Sequence, residues 1–268
     1  MEFWPSYIYL PLKKNNNTKR NIYMRDKLSS LLRSGPGIIL ILLLITNFLN
    51  GGLKDPKTYF FNMLLTLPGI VVGLSFHEFA HAFASNAFGD PTPKAQGRLT
   101  INPAKHIDPF GFFALIFCGF GWGVPVQIDN RYYKRPRLDE FIVSVAGVTM
   151  NLIIAIVFAF ISKFAINLWG RDVILTDSVQ GLAIKILLYV VMINITLMIF
   201  NLIPVPPLDG FGLVTELFNL RKTGWYYTVY QYGGLVLLLL LLFGVVSRIL
   251  YPLTSSVYSM LLTGIILA

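Results

Sequence analysis

Four long apolar segments constrain this chain more than any other feature of its sequence. They cover residues 68–88, 141–166, 183–204 and 232–250, and each is close to the roughly 20 residues that an α-helix needs to cross a bilayer. Two weaker apolar segments, 36–49 and 253–268, could add further crossings. Because 55% of the residues are hydrophobic and only 13% are charged, the sequence predicts an all-α polytopic membrane protein with about five or six transmembrane helices.

Basic residues predict how these segments are oriented. The formal net charge of +9 does not indicate nucleic-acid binding, because Lys and Arg are spread over the connections between apolar segments. Basic loops favour the cytoplasmic side, which predicts a cytoplasmic amino-terminal tail and cytoplasmic loops around residues 94–105 and 131–137. The apolar segment 108–126 lies between these two loops and contains four glycines and two prolines. It is therefore expected to enter the membrane and return, as a re-entrant hairpin, rather than to cross it.

The stretch SFHEFAHAF, residues 75–83, places two histidines and a glutamate inside an apolar segment. His77 and His81 are four positions apart, so on a helix they share one face, about 6 Å apart along the axis, and can reach one ion. The pattern His-Glu-x-x-His supplies two imidazoles for zinc and a carboxylate, here Glu78, near the open coordination position. A chance match is the alternative, but each ionisable group costs roughly 2.5–3.5 kcal/mol near the bilayer centre. The pattern therefore predicts a zinc site with Glu78 as proton acceptor.

Zinc needs at least one more protein ligand, and the residues alone leave several open. The candidates are His106, Asp108, Cys118, Asp209 and Glu216. Asp209 follows a proline-broken turn and is expected at the same cytoplasmic end as His81. An aspartate at this place could equally cap the next helix, so its position alone does not separate ligand from cap.

Four motifs occur in one order along the chain: HEFAHA at 77–82, NPAKHIDPFG at 102–111, AGVTMN at 146–151 and NLIPVPPLDG at 201–210. Together they resemble the site-2 protease family of intramembrane zinc metalloproteases, and the resemblance covers about residues 68–220. It implies that His77, His81 and Asp209 bind one Zn²⁺ ion and that Glu78 is the general acid/base. It also implies that the hairpin 108–126 helps to present substrate.

The third motif departs from the family, which usually has proline where this chain has Val148. Asn151 is present, and it is a candidate catalytic residue that would hydrogen-bond the reacting carbonyl or the substrate backbone. Interhelical hydrogen bonding is the alternative for Asn151. His106 is the reserve metal ligand. Asn194 belongs to an Asn-Ile-Thr glycosylation pattern inside an apolar segment, which we interpret as a chance match.

The sequence thus predicts an intramembrane zinc metalloprotease that hydrolyses a peptide bond within or near the transmembrane segment of a membrane protein. A membrane zinc carrier and a noncatalytic membrane-protein binder of the same fold are the alternatives. The expected organisation is a basic cytoplasmic tail (1–35), an anchor segment with a short loop (36–57), a zinc metalloprotease membrane core (58–220) and a C-terminal helical hairpin (221–268). We expect a prokaryotic plasma membrane, an active site toward the cytoplasm and a separate regulatory partner, since no appended sensing domain is visible.

Overall fold

The structure, a computed structural model, describes residues 55–118, 121 and 123–267. Most of these residues are helical. The predicted tail (1–35) and the apolar segment 36–49 lie outside these residues. Within them the helices of ten or more residues are α1 (Pro56–Ala87), α2 (Pro109–Cys118), α3 (Pro136–Trp169), α4 (Val179–Asn201), α5 (Asp209–Phe218), α6 (Tyr226–Leu242) and α7 (Val245–Leu261). A π-helical turn, Leu262–Ile266, continues α7.

Four helices of the described chain are long and apolar enough to cross a membrane: α1, α3, α4, and α7 with its π-helical turn. Helix α6 is apolar but has only 17 residues. The predicted all-α polytopic membrane fold is confirmed, with four candidate spans in the part that the structure describes.

The predicted span 232–250 is wrong, because the chain breaks within it. Helix α6 ends at Leu242, and Gly244 has a left-handed conformation with φ of +67° before α7 begins at Val245. A glycine reaches this conformation without the clash that other residues suffer, so it can end a helix inside an apolar run. The segment 253–268, predicted as a separate candidate, falls mostly within the later part of α7 and its π-helical turn.

Helices α1, α3 and α4 pack against one another and carry the core. Fully buried aliphatic side chains of α3 and α4 form its centre: Ala155, Ala159, Ile184, Val191 and Ile195. Helix α1 approaches α4 at Gly69, where an added Cβ would lie 3.0 Å from the Val190 Cα, and at Gly73, where it would lie 2.5 Å from Leu197 Cδ1. Two glycines four positions apart therefore let these helices pack with close backbone contact.

The chain segments immediately before and after α2 pair with each other. Ile107 forms an isolated antiparallel bridge with Gly123, and the Val124 N–H donates to the His106 carbonyl at 2.7 Å. Helix α2 has ten residues and is about 15 Å long, half the thickness of a hydrocarbon core. Its short length and the paired ends agree with the excursion and return predicted for 108–126.

Candidate metal centre

The candidate site lies where three elements meet at one end of the bundle. His77 and His81 lie in the carboxyl-terminal half of α1, Gly147 and Asn151 lie in the amino-terminal half of α3, and Asp209 is the first residue of α5. Because α1 and α3 contribute opposite halves, the residues of three distant sequence motifs reach one level of the fold.

Three acceptor atoms converge at this level. The Nε2 atoms of His77 and His81 are 3.1 Å apart, and Oδ2 of Asp209 is 3.1 Å from the first and 3.2 Å from the second. Among the described residues these three side chains are the group of histidine, cysteine and acidic residues with metal-binding geometry. The predicted pair on α1 and the predicted partner from the proline-rich motif therefore lie together.

Hydrogen bonds at the far side of each imidazole fix its tautomer. Nδ1 of His81 lies 2.7 Å from the Val143 carbonyl oxygen, which can only accept, so this nitrogen carries the proton. Nδ1 of His77 lies 2.7 Å from Oδ1 of Asn151 and donates to it. Both Nε2 atoms then present lone pairs to each other and to the carboxylate of Asp209.

Zinc fits this donor set. Four ligands at about 2.0–2.1 Å from a tetrahedral zinc ion lie about 3.3 Å from one another, close to the 3.1–3.2 Å between these three atoms. Oδ2 of Asp209 is buried and has no hydrogen-bond donor among the described residues. Two neutral imidazoles and a carboxylate, with their far sides hydrogen-bonded, are a typical zinc ligand set.

Asp209 reaches the site from a tight turn after α4. Leu208 occupies the cap position of α5 and makes no side-chain capping bond, so Asp209 follows the cap as the first helical residue. A Cβ at Gly210 would lie 2.3 Å from the Leu202 carbonyl oxygen, so the chain folds back closely against the end of α4. The Asp209 carboxylate also lies at the amino end of α5, where the helix dipole favours a negative charge.

The other candidate ligands have different partners in the structure. Nε2 of His106 donates to the Thr100 carbonyl at 2.7 Å, and Asp108 accepts a bond from the Gly111 N–H at 2.7 Å. Glu216 pairs with Nε of Arg221 at 2.7 Å. The side chain of Cys118 lies outside those that the structure describes.

A charged network holds α5 against α3. Arg221 bonds both Glu216 of α5 and Glu140 of α3, while Arg137 donates to the Glu216 carbonyl at 2.7 Å. The Glu216 side chain is only 3% exposed, so its charge requires this partner. The network fixes the helix that begins with Asp209.

Gly147 gives the two imidazoles the space that they occupy. A Cβ at this position would lie 2.3 Å from Nε2 of His81 and 2.6 Å from Cε1 of His77. The rings therefore pack directly on the backbone of α3. A larger residue would have to displace the proposed ligands.

Glu78 follows His77 on α1, and its carboxylate contacts the chain segment that follows α2. Oε2 accepts a hydrogen bond from the Val126 N–H at 2.9 Å. Among the described residues, Oε1 has no hydrogen-bond partner. This leaves one carboxylate oxygen positioned by the backbone and the other free to exchange a proton.

Asn151 contacts His77 at Nδ1, on the side of the ring away from the other proposed ligands, and its side chain is fully buried. Its Oδ1 accepts from His77, and its Nδ2 donates to the Gly73 carbonyl at 3.2 Å and to Oδ1 of Asn194 at 3.0 Å. A direct contact with a reacting carbonyl would require Asn151 to release one of these bonds.

Sequence reasoning missed three contributors to the site: Gly147, Val126 and Asn194. Gly147 lies four residues before Asn151, on the same face of α3, and this spacing could have indicated it. Asn194 is an amide within an apolar span, where a polar side chain needs a partner. The backbone contact of Val126 leaves no signal in the sequence.

Comparison with known proteins gives this site a family context. The family model for peptidase family M50 matches residues 65–173 and 166–242. YwhC of Bacillus subtilis (strain 168), which is named a zinc metalloprotease, is 36% identical over 187 residues, covering 70% of this chain and 84% of that protein. No solved structure matches this chain.

Two mycobacterial relatives are more distant. Rip2 of Mycolicibacterium smegmatis is 28% identical over 199 residues, covering 72% of this chain and 72% of that protein. Rip2 of Mycobacterium tuberculosis is 28% identical over 171 residues, covering 62% of this chain and 61% of that protein. Both are also named zinc metalloproteases.

Proposed function

The chain belongs to peptidase family M50, the site-2 protease family, and we propose that this zinc-dependent membrane protease cuts a peptide bond within or near a transmembrane segment of its protein substrate. One observation carries the proposal. The three converging acceptor atoms of His77, His81 and Asp209 lie between helices that are long and apolar enough to span a bilayer. Chemistry at that level would act on a substrate that is itself in the membrane.

The proposed ligands of the zinc ion are His77, His81 and Asp209, with Glu78 as general acid/base. Bound zinc supplies Lewis acidity and lowers the pKa of a coordinated water to about 7. A free carboxylate oxygen of Glu78 accepts a proton from the attacking water and later donates it to the nitrogen of the leaving amine. The Asp209 side chain is 20% exposed, against 6% for His77, which supports water entry from the Asp209 side.

Substrate must lie extended beside the site, since the internal hydrogen bonds of a helix shield its carbonyl groups. The segment after α2 lies outside the helices near Glu78, which it contacts through the Val126 N–H. The free backbone groups of this segment could pair with an extended substrate strand. This arrangement supports the substrate-presenting role that the family resemblance implies.

The alternatives have less support. A zinc carrier needs ionisable groups at several depths, whereas the described residues form one metal-binding group at one level. A noncatalytic binder of the same fold would be expected to lose the glutamate or a ligand, and this chain keeps Glu78 beside the other three.

The remaining parts of the proposal concern placement in the cell. Basic residues of the connections next to the site, 94–105 and 131–137, favour a cytoplasmic active site. We also propose a prokaryotic plasma membrane, a protease core at 58–220 with a C-terminal helical hairpin at 221–268, and a separate regulatory partner.

Cleavage of single-span membrane peptides in bilayers tests the function. We expect the wild type to cut members of a peptide panel, Glu78→Gln to hold zinc without cutting, and Asp209→Ala to lose both zinc and cleavage. Cleavage by Glu78→Gln at the wild-type rate would contradict the role of Glu78. Zinc uptake into vesicles, without peptide cleavage, would favour the carrier.

A further inference from the structure

Two buried amides connect the metal centre to helix α4. Nδ1 of His77 donates to Oδ1 of Asn151 at 2.7 Å, and Nδ2 of Asn151 donates to Oδ1 of Asn194 at 3.0 Å. Nδ2 of Asn194 donates to the Val190 carbonyl at 2.9 Å. Both asparagine side chains are fully buried, so water does not compete for these bonds.

Backbone carbonyls at both amides fix the direction of this chain of bonds. The Val190 carbonyl can only accept, so it takes the NH₂ end of Asn194 and leaves Oδ1 facing Asn151. The Gly73 carbonyl takes the second N–H of Asn151 in the same way. Oδ1 of Asn151 must then face His77, which keeps the proton on Nδ1 and the lone pair on Nε2.

The packing of α1 on α4 gives Asn194 access to this position. An added Cβ at Gly73 would lie 3.1 Å from Oδ1 of Asn194 and 2.5 Å from Leu197 Cδ1. One turn earlier, the Gly69 carbonyl lies 3.5 Å from Nδ2 of Asn194. The Asn194 amide therefore lies between α1 and α4, where Gly69 and Gly73 let the two helices approach closely.

A role in joining helices does not account for the whole arrangement. Contacts of Asn194 with the Val190 and Gly69 carbonyls already satisfy its NH₂ group and link α4 to α1. Its Oδ1 instead accepts from Asn151, the residue that holds a proposed metal ligand. Groups that orient a metal-binding histidine typically change metal affinity by about 10–100-fold when they are removed.

We propose that Asn194 is a positioning residue for the metal centre, which acts through Asn151 to hold His77 with its Nε2 lone pair toward the metal. This inference rests on the proposed role of His77 as a zinc ligand. Without Asn194, one N–H of Asn151 loses its acceptor in an apolar interior, which favours rotation of the amide away from its contact with His77.

Metal binding to the purified full-length chain tests whether Asn194 positions His77 through Asn151. The probes are Zn²⁺, measured in competition with a chelator, and Co²⁺, measured through its visible absorption spectrum. We expect Asn194→Ala to weaken binding of both ions about tenfold or more and to change the Co²⁺ spectrum. If Asn194→Ala does not fold, Asn194→Ser replaces it, because it also lacks the amide oxygen.

Two further variants separate positioning from simple packing. Asn194→Asp keeps an oxygen that accepts from Asn151, so it should retain at least wild-type metal affinity even if its thermal stability falls. The double variant Asn151→Ala with Asn194→Ala should bind metal no more weakly than Asn151→Ala alone, because Asn194 acts through Asn151. Thr196→Val is the matched control in α4, since among the described residues the Thr196 hydroxyl bonds only the Met192 carbonyl of its own helix.

The outcomes distinguish failure of the proposed role of Asn194 from failure of the proposed metal centre. Wild-type affinity and an unchanged Co²⁺ spectrum in Asn194→Ala would overturn the positioning role of Asn194. Additive losses of metal affinity in the double variant would also overturn it. His77→Ala is measured in parallel. If it binds metal as well as the wild type, the proposed metal centre fails, whereas a loss confined to His77→Ala leaves the centre standing and removes only the role of Asn194.

Discussion

The Nε2 atoms of His77 and His81 lie 3.1 Å apart, and in the neutral rings with Nδ1 protonated neither can donate a hydrogen bond to the other. Each ring has its proton on Nδ1, where a protein oxygen accepts it. Oδ2 of Asp209 adds a third acceptor within 3.2 Å of both. Three facing lone pairs repel one another unless a cation lies among them, and bound zinc would supply that charge, so the stability of this end of the bundle should increase with metal.

Metal removal should therefore lower thermal stability. At free zinc about 100-fold above the dissociation constant, binding stabilises the folded state by about 2.7 kcal/mol, which corresponds to a rise of several degrees in Tm. Thermal unfolding in detergent, with chelator and then with added zinc, measures the effect.

Asp209→Asn is the matched control for metal removal, because it keeps the size of the side chain and removes the charge. We expect little or no dependence of its Tm on zinc. An equal rise in Tm for Asp209→Asn and the wild type would show that zinc stabilises the protein at another place.

Gly147→Ala should weaken metal binding. The new Cβ would lie 2.3 Å from Nε2 of His81, so the ring must move and strain its bond to the Val143 carbonyl, or α3 must shift. Either change disturbs a ligand, and we expect the affinity for zinc to fall by about tenfold or more, as measured by chelator competition.

Gly234→Ala on α6 is the control, since a Cβ there meets nothing within 4 Å in the part of the chain that the structure describes. Alanine is the better helix former by about 1 kcal/mol, so this variant should be as stable as the wild type or more stable, with unchanged zinc affinity. Equal zinc affinity in Gly147→Ala and Gly234→Ala would contradict the close packing of the ligands on α3.

The parts of the site that depend on local geometry could be predicted from the sequence. Four residues separate His77 from His81, and helix geometry alone places them on one face. Asp209 could not be separated from a helix cap by position, and the family motif was needed to favour it as a ligand. The structure shows that Leu208 takes the cap position, which leaves the Asp209 carboxylate facing the histidines.

Other features depend on contacts between distant residues or on breaks hidden in an apolar run. Asn194 meets Asn151 across 43 positions, and nothing near Asn194 in the sequence indicates that partner. The break at Gly244 lies within an apolar stretch that continues on both sides, from the preceding leucines to Val245 and Val246. Average hydropathy predicts that a segment is buried in lipid, but the backbone conformation of one glycine decides where a helix ends.

Val126→Pro should impair cleavage without loss of zinc. Proline lacks the N–H that holds Oε2 of Glu78, so the general base becomes less well positioned while its neighbours on α1 stay in place. We expect the cleavage rate to fall by about tenfold or more, with unchanged zinc content, in the peptide assay.

Val126→Ala is the matched control, because it shortens the side chain and keeps the N–H. It should retain most of the wild-type rate. If Val126→Pro and Val126→Ala cut equally well, the backbone contact with Glu78 has no part in catalysis.

Asp90 predicts a pH dependence of stability at the loop that follows α1. Burial opposes its ionisation, but hydrogen bonds from Thr92, Asp129 and Ser85 outweigh burial and hold the pKa of its carboxyl below the usual range. A folded-state pKa below the unfolded value of about 3.9 gives stability that is complete above the unfolded pKa and is lost as the pH falls through the lower folded-state pKa. Asp90→Asn should cost about 1–3 kcal/mol near pH 7, and its deficit should shrink between about pH 5 and pH 3. Denaturant unfolding of the chelator-treated wild type and variant measures this difference, because metal binding then contributes to neither protein. A deficit that stays constant over this range would show that Asp90 supports the loop by shape and not by charge.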